Sequence, residues 1–203
     1  MRKLVLATRN AGKERELKLL LAGLPLEIVS LRDYPEMPEL VEDGETFAAN
    51  AAAKARQVAV YTGEMALADD SGLEVDALGG RPGVHSARFA GPGASDADRN
   101  AKLLEMLKDV PAGRRTARFK AAMAVAWPGG GCGLPRVLEV EEACEGRIVE
   151  TPRGIDGHGY DPVFFFPPAA RTFAEMTTEE KNLVSHRGRA ALAVRELLFK
   201  GPK

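Results

Sequence analysis

The segment from Lys3 to Ser30, KLVLATRNAGKERELKLLLAGLPLEIVS, decides how the rest of the chain is read. Lys3 to Ala7 is a short apolar run flanked by polar residues, the pattern of a buried first strand. Over Gly12 to Leu21 the spacing of Leu17, Leu20, Leu21 and Leu24 predicts a helix, with Gly23 as its stop. Leu26 to Ser30 reads as a second strand. Strand, loop, helix, strand is how an α/β domain opens.

The same grammar continues downstream. Leu31 to Glu45 is an acidic loop with prolines, and Thr46 is placed to cap a helix over Phe47 to Tyr61 that Gly63 stops. Met65 to Ala68 reads as a short buried strand ending in Asp69-Asp70-Ser71-Gly72. A Gly/Pro-rich loop, Gly79 to Gly93, leads to Ser95 and Asp98, a capping-box pair for a helix through Lys108. Arg115 to Trp127 and Arg136 to Cys144 read as longer strands around the turn Pro128 to Pro135, with Gly146 to Glu150 as a continuation. Val163 to Phe166 is a further strand, and a last helix runs from Ser185, its expected cap, to Phe199. No repeat or long linker interrupts the chain, so residues 1–203 are expected to form a single domain.

Composition narrows the function classes. With 203 residues, 45% of them hydrophobic, the chain can bury a sizeable core. Twenty-eight Lys+Arg balance 29 Asp+Glu, which argues against a uniform basic field for nucleic acid. The apolar run Ala121 to Trp127 is too short to span a bilayer, and the apolar start ends by Thr8. A soluble cytoplasmic protein with no membrane and no direct nucleic-acid partner is the expectation. Cys132 and Cys144 have no CxxC spacing and suggest neither a disulfide framework nor a zinc site.

Five stretches could carry chemistry. Thr8-Arg9-Asn10-Ala11-Gly12-Lys13 lies between strand and helix, where unpaired N–H groups, the helix dipole and Lys13 suit a phosphate, although the Walker A spacing is absent. Asp69-Asp70-Ser71-Gly72 offers carboxylates for Mg²⁺ or for taking a proton from water, and one of the two aspartates could be structural. The acidic loop with Glu39, Glu42, Asp43 and Glu45 could supply a second metal ligand. In Gly154-Ile155-Asp156-Gly157-His158-Gly159-Tyr160-Asp161-Pro162, His158 or Tyr160 could stack on a base and Asp161 could bind a polar edge. Lys181 and Ser185-His186-Arg187 offer donors to phosphate or to a ring oxygen. Each stretch alone has a bland reading as a turn, a cap or a solvated loop. Cationic and carboxylate groups together suit a nucleoside triphosphate with Mg²⁺.

In order, these stretches resemble the motifs of the inosine triphosphate/xanthosine triphosphate pyrophosphatase family. Thr8 to Lys13 resembles its T/S-x-N-x-x-K signature. Glu42-Asp43-Gly44, Thr46-Phe47, Asn50-Ala51 with Lys54, and Ala68 to Leu73 follow. Leu78 to Gly83, Ser86-Ala87-Arg88, Gly159 to Pro162 and Ser185 to Gly188 complete the series over nearly the whole chain. The resemblance implies an elongated mixed β-sheet flanked by helices, in two lobes with a central nucleotide-binding cleft, usually as a homodimer. It also implies Mg²⁺-dependent hydrolysis of ITP, dITP and XTP to the monophosphate and pyrophosphate, which cleans the nucleotide pool.

Carried over by position, Thr8 to Lys13 and Lys54 would hold the triphosphate. Asp70 would be proton acceptor and metal ligand, Glu42 the second metal ligand, and Ser71 a substrate contact. His158, Gly159, Tyr160, Asp161, Lys181, His186 and Arg187 would form the base and sugar pocket. His158 stands where the family usually has another aromatic residue, so its stacking area is smaller and its ring titratable. Rival readings are a Maf-like pyrophosphatase and a nucleotide sensor without catalysis.

Overall fold

The computed structural model describes residues 2–129 and 133–200, so Cys132 and the middle of the turn before Pro135 lie outside the described residues. Among the described residues are seven strands and five α-helices: β1 (Arg2–Leu6), α1 (Ala11–Leu20), β2 (Leu26–Ser30), α2 (Phe47–Thr62), β3 (Met65–Val75), α3 (Asp96–Met106), β4 (Thr116–Trp127), β5 (Arg136–Ile148), β6 (Phe164–Phe166), β7 (Arg171–Thr172), α4 (Thr178–Val184) and α5 (His186–Lys200). The strands hydrogen-bond in the order β2-β1-β3-β4-β5-β6-β7. β1 runs parallel to both β2 and β3, whereas β5, β6 and β7 pair antiparallel. The result is an open, mixed α/β sheet. Among the described residues no helix is long and apolar enough to cross a membrane.

The chain divides into two compact units. The first comprises Met1–Asp70, Ala121–Glu142 and Arg187–Lys203, and the second Ser71–Lys120 and Ala143–His186. In the first, Leu4, Leu6 and Leu67 of the parallel strands pack with Leu17 and Leu21 from the α1 segment, Met123 and Val125 of β4, and Ala190 and Val194 of α5. In the second, Leu103 and Leu107 pack with Leu73, Val75, Ile148 and an aromatic group of Phe119, Phe164 and Phe173.

The caps that the sequence predicts are present. Thr46 Oγ1 accepts from Ala49 N, and Ser95 and Asp98 close a reciprocal box at the start of α3. One expectation needs correction. β3 does not end at Ala68 but runs on through Asp69, Asp70, Ser71 and Gly72 to Val75. Its pairing in the sheet overrides the turn preference of those residues. The last helix starts at His186 directly after an extended Ser185 (φ −73°, ψ 159°), where the sequence places it, and a short helix that the sequence reading did not draw, α4, precedes it behind a capping box of Thr177 and Glu180.

Candidate functional site

In the first unit the loop after β1 is shaped by its own side chains. Asn10 is the N-cap of α1, and its Oδ1 accepts from Gly12 N at 2.9 Å and Lys13 N at 3.1 Å. Two amides expected to be open to a phosphate are thus already bonded, because the Asn10 side chain is long enough to fold back over the first turn. Asn10 N in turn donates to Thr8 Oγ1 at 3.2 Å, and Arg9 Nη2 donates to Met37 O at 2.6 Å. From the first turn of α1 the Lys13 ammonium reaches β3 and lies 2.7 Å from Asp69 Oδ2.

The strand geometry of β3 separates its two aspartates. Successive side chains of a strand point to opposite faces. Asp69 is 1% exposed and meets Lys13 on one side and Arg187 Nη2, 3.4 Å away, on the other. Arg187 also donates to Glu16 of α1 at 2.5 Å. Burial alone would raise the Asp69 carboxyl, but Arg187 and Lys13 outweigh it and hold it far below the usual carboxylate range. Burial likewise opposes the Arg187 charge, and Asp69 and Glu16 more than restore it. Arg187, expected in a base and sugar pocket, is therefore part of a buried ion cluster with Asp69 in the first unit.

Asp70 has different neighbours. Its Oδ1 accepts from Lys54 Nζ at 3.0 Å and its Oδ2 from Asn50 Nδ2 at 3.1 Å. Burial pushes its carboxyl up against the opposing pull of Lys54 and Lys13. The Lys54 ammonium is 4% exposed at residue level and touches Asp70 Oδ1, Asp69 O at 3.0 Å and Glu42 Oε1 at 3.1 Å. Burial disfavours its charge, yet Asp70 and Glu42 raise its pKa above the ordinary value.

Glu42 and Asp70 thus converge on one cationic point with hard oxygen donors, the set that suits Mg²⁺, which takes one or two carboxylates and leaves the rest to water and phosphate. Glu39, another acidic residue of that loop, lies instead with Met37, Tyr61 and Val60 along a groove of about 530 Å³.

In the second unit the turn before β6 is locked by polar contacts. Asp161 and Lys181 form a buried ion pair at 2.7 Å, and Asp161 Oδ2 also accepts from His158 N at 2.8 Å. Gly157 has a φ of +80°, and a Cβ there would overlap the Asp161 carboxylate, so only glycine fits. Tyr160 is 4% exposed and donates its hydroxyl to Ser86 O at 2.9 Å, and burial pushes its phenol well up. Its ring belongs to the core and is not the stacking surface considered in the sequence. His158 is half-buried. His186 lies against Phe119, ring centroids 4.7 Å apart and 8° from parallel. Ser71, half-buried on β3, is the first residue of this unit.

Four contributors were not read from the sequence as site residues. Glu16 pairs with Arg187 across 171 positions, a separation that no local pattern announces. Asp96 and Asn100 of α3 hold the peptide of Gly159, Asp96 accepting from its N at 2.7 Å and Asn100 donating to its O at 3.0 Å. Gln57 grips the Val41 backbone. Only Asn100 carried a signal, as a polar residue in line with Leu103, Leu104 and Leu107 on a core-facing stripe.

An inner strand bearing two adjacent carboxylates, with Lys13, Lys54 and Arg187 gathered around them, defines an α/β protein with a dense set of buried charges on its sheet. Comparison with known proteins gives the class a family: its sequence profile, the Ham1 family, matches residues 4–197, and the chain belongs to it. The chain is 51% identical over 196 residues to a dITP/XTP pyrophosphatase of Desulforamulus reducens, covering 97% of this chain and 95% of the relative. It is 52% identical to that of Geobacillus kaustophilus, covering 94% and 91%. Among solved structures, a HAM1 protein from Coxiella burnetii superimposes with a TM-score of 0.87 at 40% identity, over 99% of this chain and 100% of that one.

Proposed function

We propose that this protein hydrolyses deaminated purine nucleoside triphosphates, ITP, dITP and XTP, to the nucleoside monophosphate and pyrophosphate in a Mg²⁺-dependent reaction. The observation that carries the reading is the convergence of Glu42 and Asp70 on Lys54 beside the Lys13 ammonium, in a chain whose relatives are named dITP/XTP pyrophosphatases.

The residues divide the work. Lys13 and Lys54 bind the phosphates and offset the charge that builds on the leaving oxygen. The Thr8 to Gly12 turn, capped by Asn10, holds Lys13 at the strand end. Asp70 orients a water and takes its proton as the water oxygen bonds to the α-phosphorus and the bond to pyrophosphate breaks. A raised carboxyl is a better acceptor at neutral pH than an ordinary aspartate. Glu42 and Asp70 would hold Mg²⁺, which when bound neutralises phosphate charge. Asp69 touches no substrate in this scheme and keeps Lys13 and Arg187 in place.

In the second unit His158 presents a flat ring to the base. Its backbone is set by Asp161, which Lys181 holds, and by the Gly159 peptide. Hypoxanthine and xanthine carry a 6-oxo acceptor and an N1–H donor, the reverse of adenine, so donors aimed at the 6-oxo group are left unpaired by ATP. We read the protein further as a cytoplasmic homodimer, as the family resemblance implies.

The test is pyrophosphate release from ITP, dITP, XTP, GTP, ATP and dTTP, each with Mg²⁺ and with EDTA. Release from the first three that EDTA abolishes is the expected result. Release from dTTP alone, or saturable ITP binding without turnover, would overturn the proposal.

A further inference from the structure

The loop that carries Glu42 has no regular secondary structure between residues 39 and 44, and Val41 is 56% exposed, so no buried side chain at Val41 holds it. Its position comes from one stripe of α2. Asn50, Lys54 and Gln57 are spaced i, i+4, i+7, which puts them on one helical face. Each takes one residue of the loop, in reverse order. Gln57 Oε1 accepts from Val41 N at 3.1 Å while its Nε2 donates to Val41 O at 3.1 Å. Lys54 meets the Glu42 carboxylate, and Asn50 Oδ1 accepts from Gly44 N at 2.8 Å.

The primary amide of Gln57 offers a donor and an acceptor side by side on a plane, as a peptide group does, while its second N–H goes to Ala53 O at 3.1 Å in its own helix. It pairs with Val41 as a neighbouring strand would. Asn50 does the same work at the other end and links it to the reacting group, since its Nδ2 donates to Asp70 Oδ2. Gly44 completes the fit, because a Cβ there would sit 2.8 Å from Asn50 Oδ1. Glu42, with a side chain 41% exposed, is held between these two clamps.

We propose that Gln57 and Asn50 are positioning residues that fix the backbone on either side of Glu42, so that its carboxylate is aimed before a divalent cation arrives. Gln57 touches neither substrate nor cation; it acts through the Val41 peptide. This rests on the proposed metal role of Glu42. Groups that orient metal ligands typically carry about 10–100-fold of metal affinity.

The test uses the full chain with Gln57→Ala and Gln57→Met, the latter keeping length and apolar packing but not the amide. Mn²⁺ binding to the protein without nucleotide is followed by electron paramagnetic resonance, amide exchange of residues 41–44 is measured in the metal-free protein, and the Mg²⁺ dependence of ITP hydrolysis is recorded. Both variants are expected to bind Mn²⁺ about tenfold more weakly and to exchange faster at Val41 and Gly44. At saturating Mg²⁺ their kcat should stay within about twofold, since no reacting group is lost. Unchanged Mn²⁺ affinity, unchanged exchange, or full rescue by Gln57→Met would overturn the proposal. If the wild type binds Mn²⁺ but hydrolyses no nucleotide, the functional reading fails, and the binding and exchange arms still decide the role of Gln57.

Discussion

The two units handle buried charge in opposite ways. In the first, Asp69, Arg187, Glu16 and Lys13 form one cluster, and Asp70, Lys54 and Glu42 a second, back to back on β3. In the second, Asp161 and Lys181 form a pair enclosed beside the ring of Phe173, whose centroid is 5.7 Å from Lys181 Nζ. A cluster can give up one member to a ligand and keep its balance. An enclosed pair that also fixes the His158 backbone serves better as a fixed frame.

Four changes would break or sharpen this contrast. Asp70→Asn should lower kcat by about 10²–10⁴-fold, the usual worth of a general base, with the thermal midpoint within a few degrees of wild type. Near-normal turnover by steady-state kinetics would remove Asp70 from that role.

Lys181→Met should be nearly as damaging, through stability. Removing one partner of an enclosed pair leaves the Asp161 charge unmatched, at a cost of about 3–5 kcal/mol in denaturant melts.

Asp69→Asn should cost somewhat less, about 2–3 kcal/mol, because Arg187 keeps Glu16. Its pH signature is specific. A carboxyl held below its ordinary value of 3.8 stabilises the fold above that pH and ceases to as pH falls through the folded value. In metal-free protein the wild-type advantage over Asp69→Asn should therefore be flat from pH 5 to 8, about the range where Asp is ionised in both states, and shrink only below about pH 4. An advantage that fades near neutrality would contradict the cluster.

His158→Phe should have the smallest effect. A larger stacking face should lower KM for ITP by about threefold to tenfold, consistent with 0.5–1.5 kcal/mol for an aromatic contact, and leave kcat unchanged. An unaltered KM would take His158 away from the base.

Much of this architecture is legible in the sequence. The strand-helix-strand opening from Lys3 to Ser30, the Thr46 cap and the Ser95–Asp98 box all depend on residues within one or two turns of each other, and local physics suffices. The length of β3 was hidden because two aspartates, a serine and a glycine favour turns, and only their long-range partners make a strand of them. Once the strand is known, its period of two accounts for the opposite fates of Asp69 and Asp70. Arg187 illustrates the limit. Its place in an Arg-bearing helix start is visible, but its partner Glu16 stands at the far end of the chain. Gln57 shows a subtler one, since a glutamine that imitates a peptide group leaves no motif.

The position of Lys54 between Glu42 and Asp70 has a consequence for how the protein behaves when starved of magnesium. Two acidic groups brought together without a positive charge would repel each other and strain the scaffold. Here a tethered ammonium lies between them and offsets one of the two negative charges. A divalent ion would be a visitor, not a structural rivet of the kind that holds small metal-dependent folds together. Chelation should therefore silence the protein reversibly, with no loss of folded material, and readdition of magnesium should restore it without any refolding.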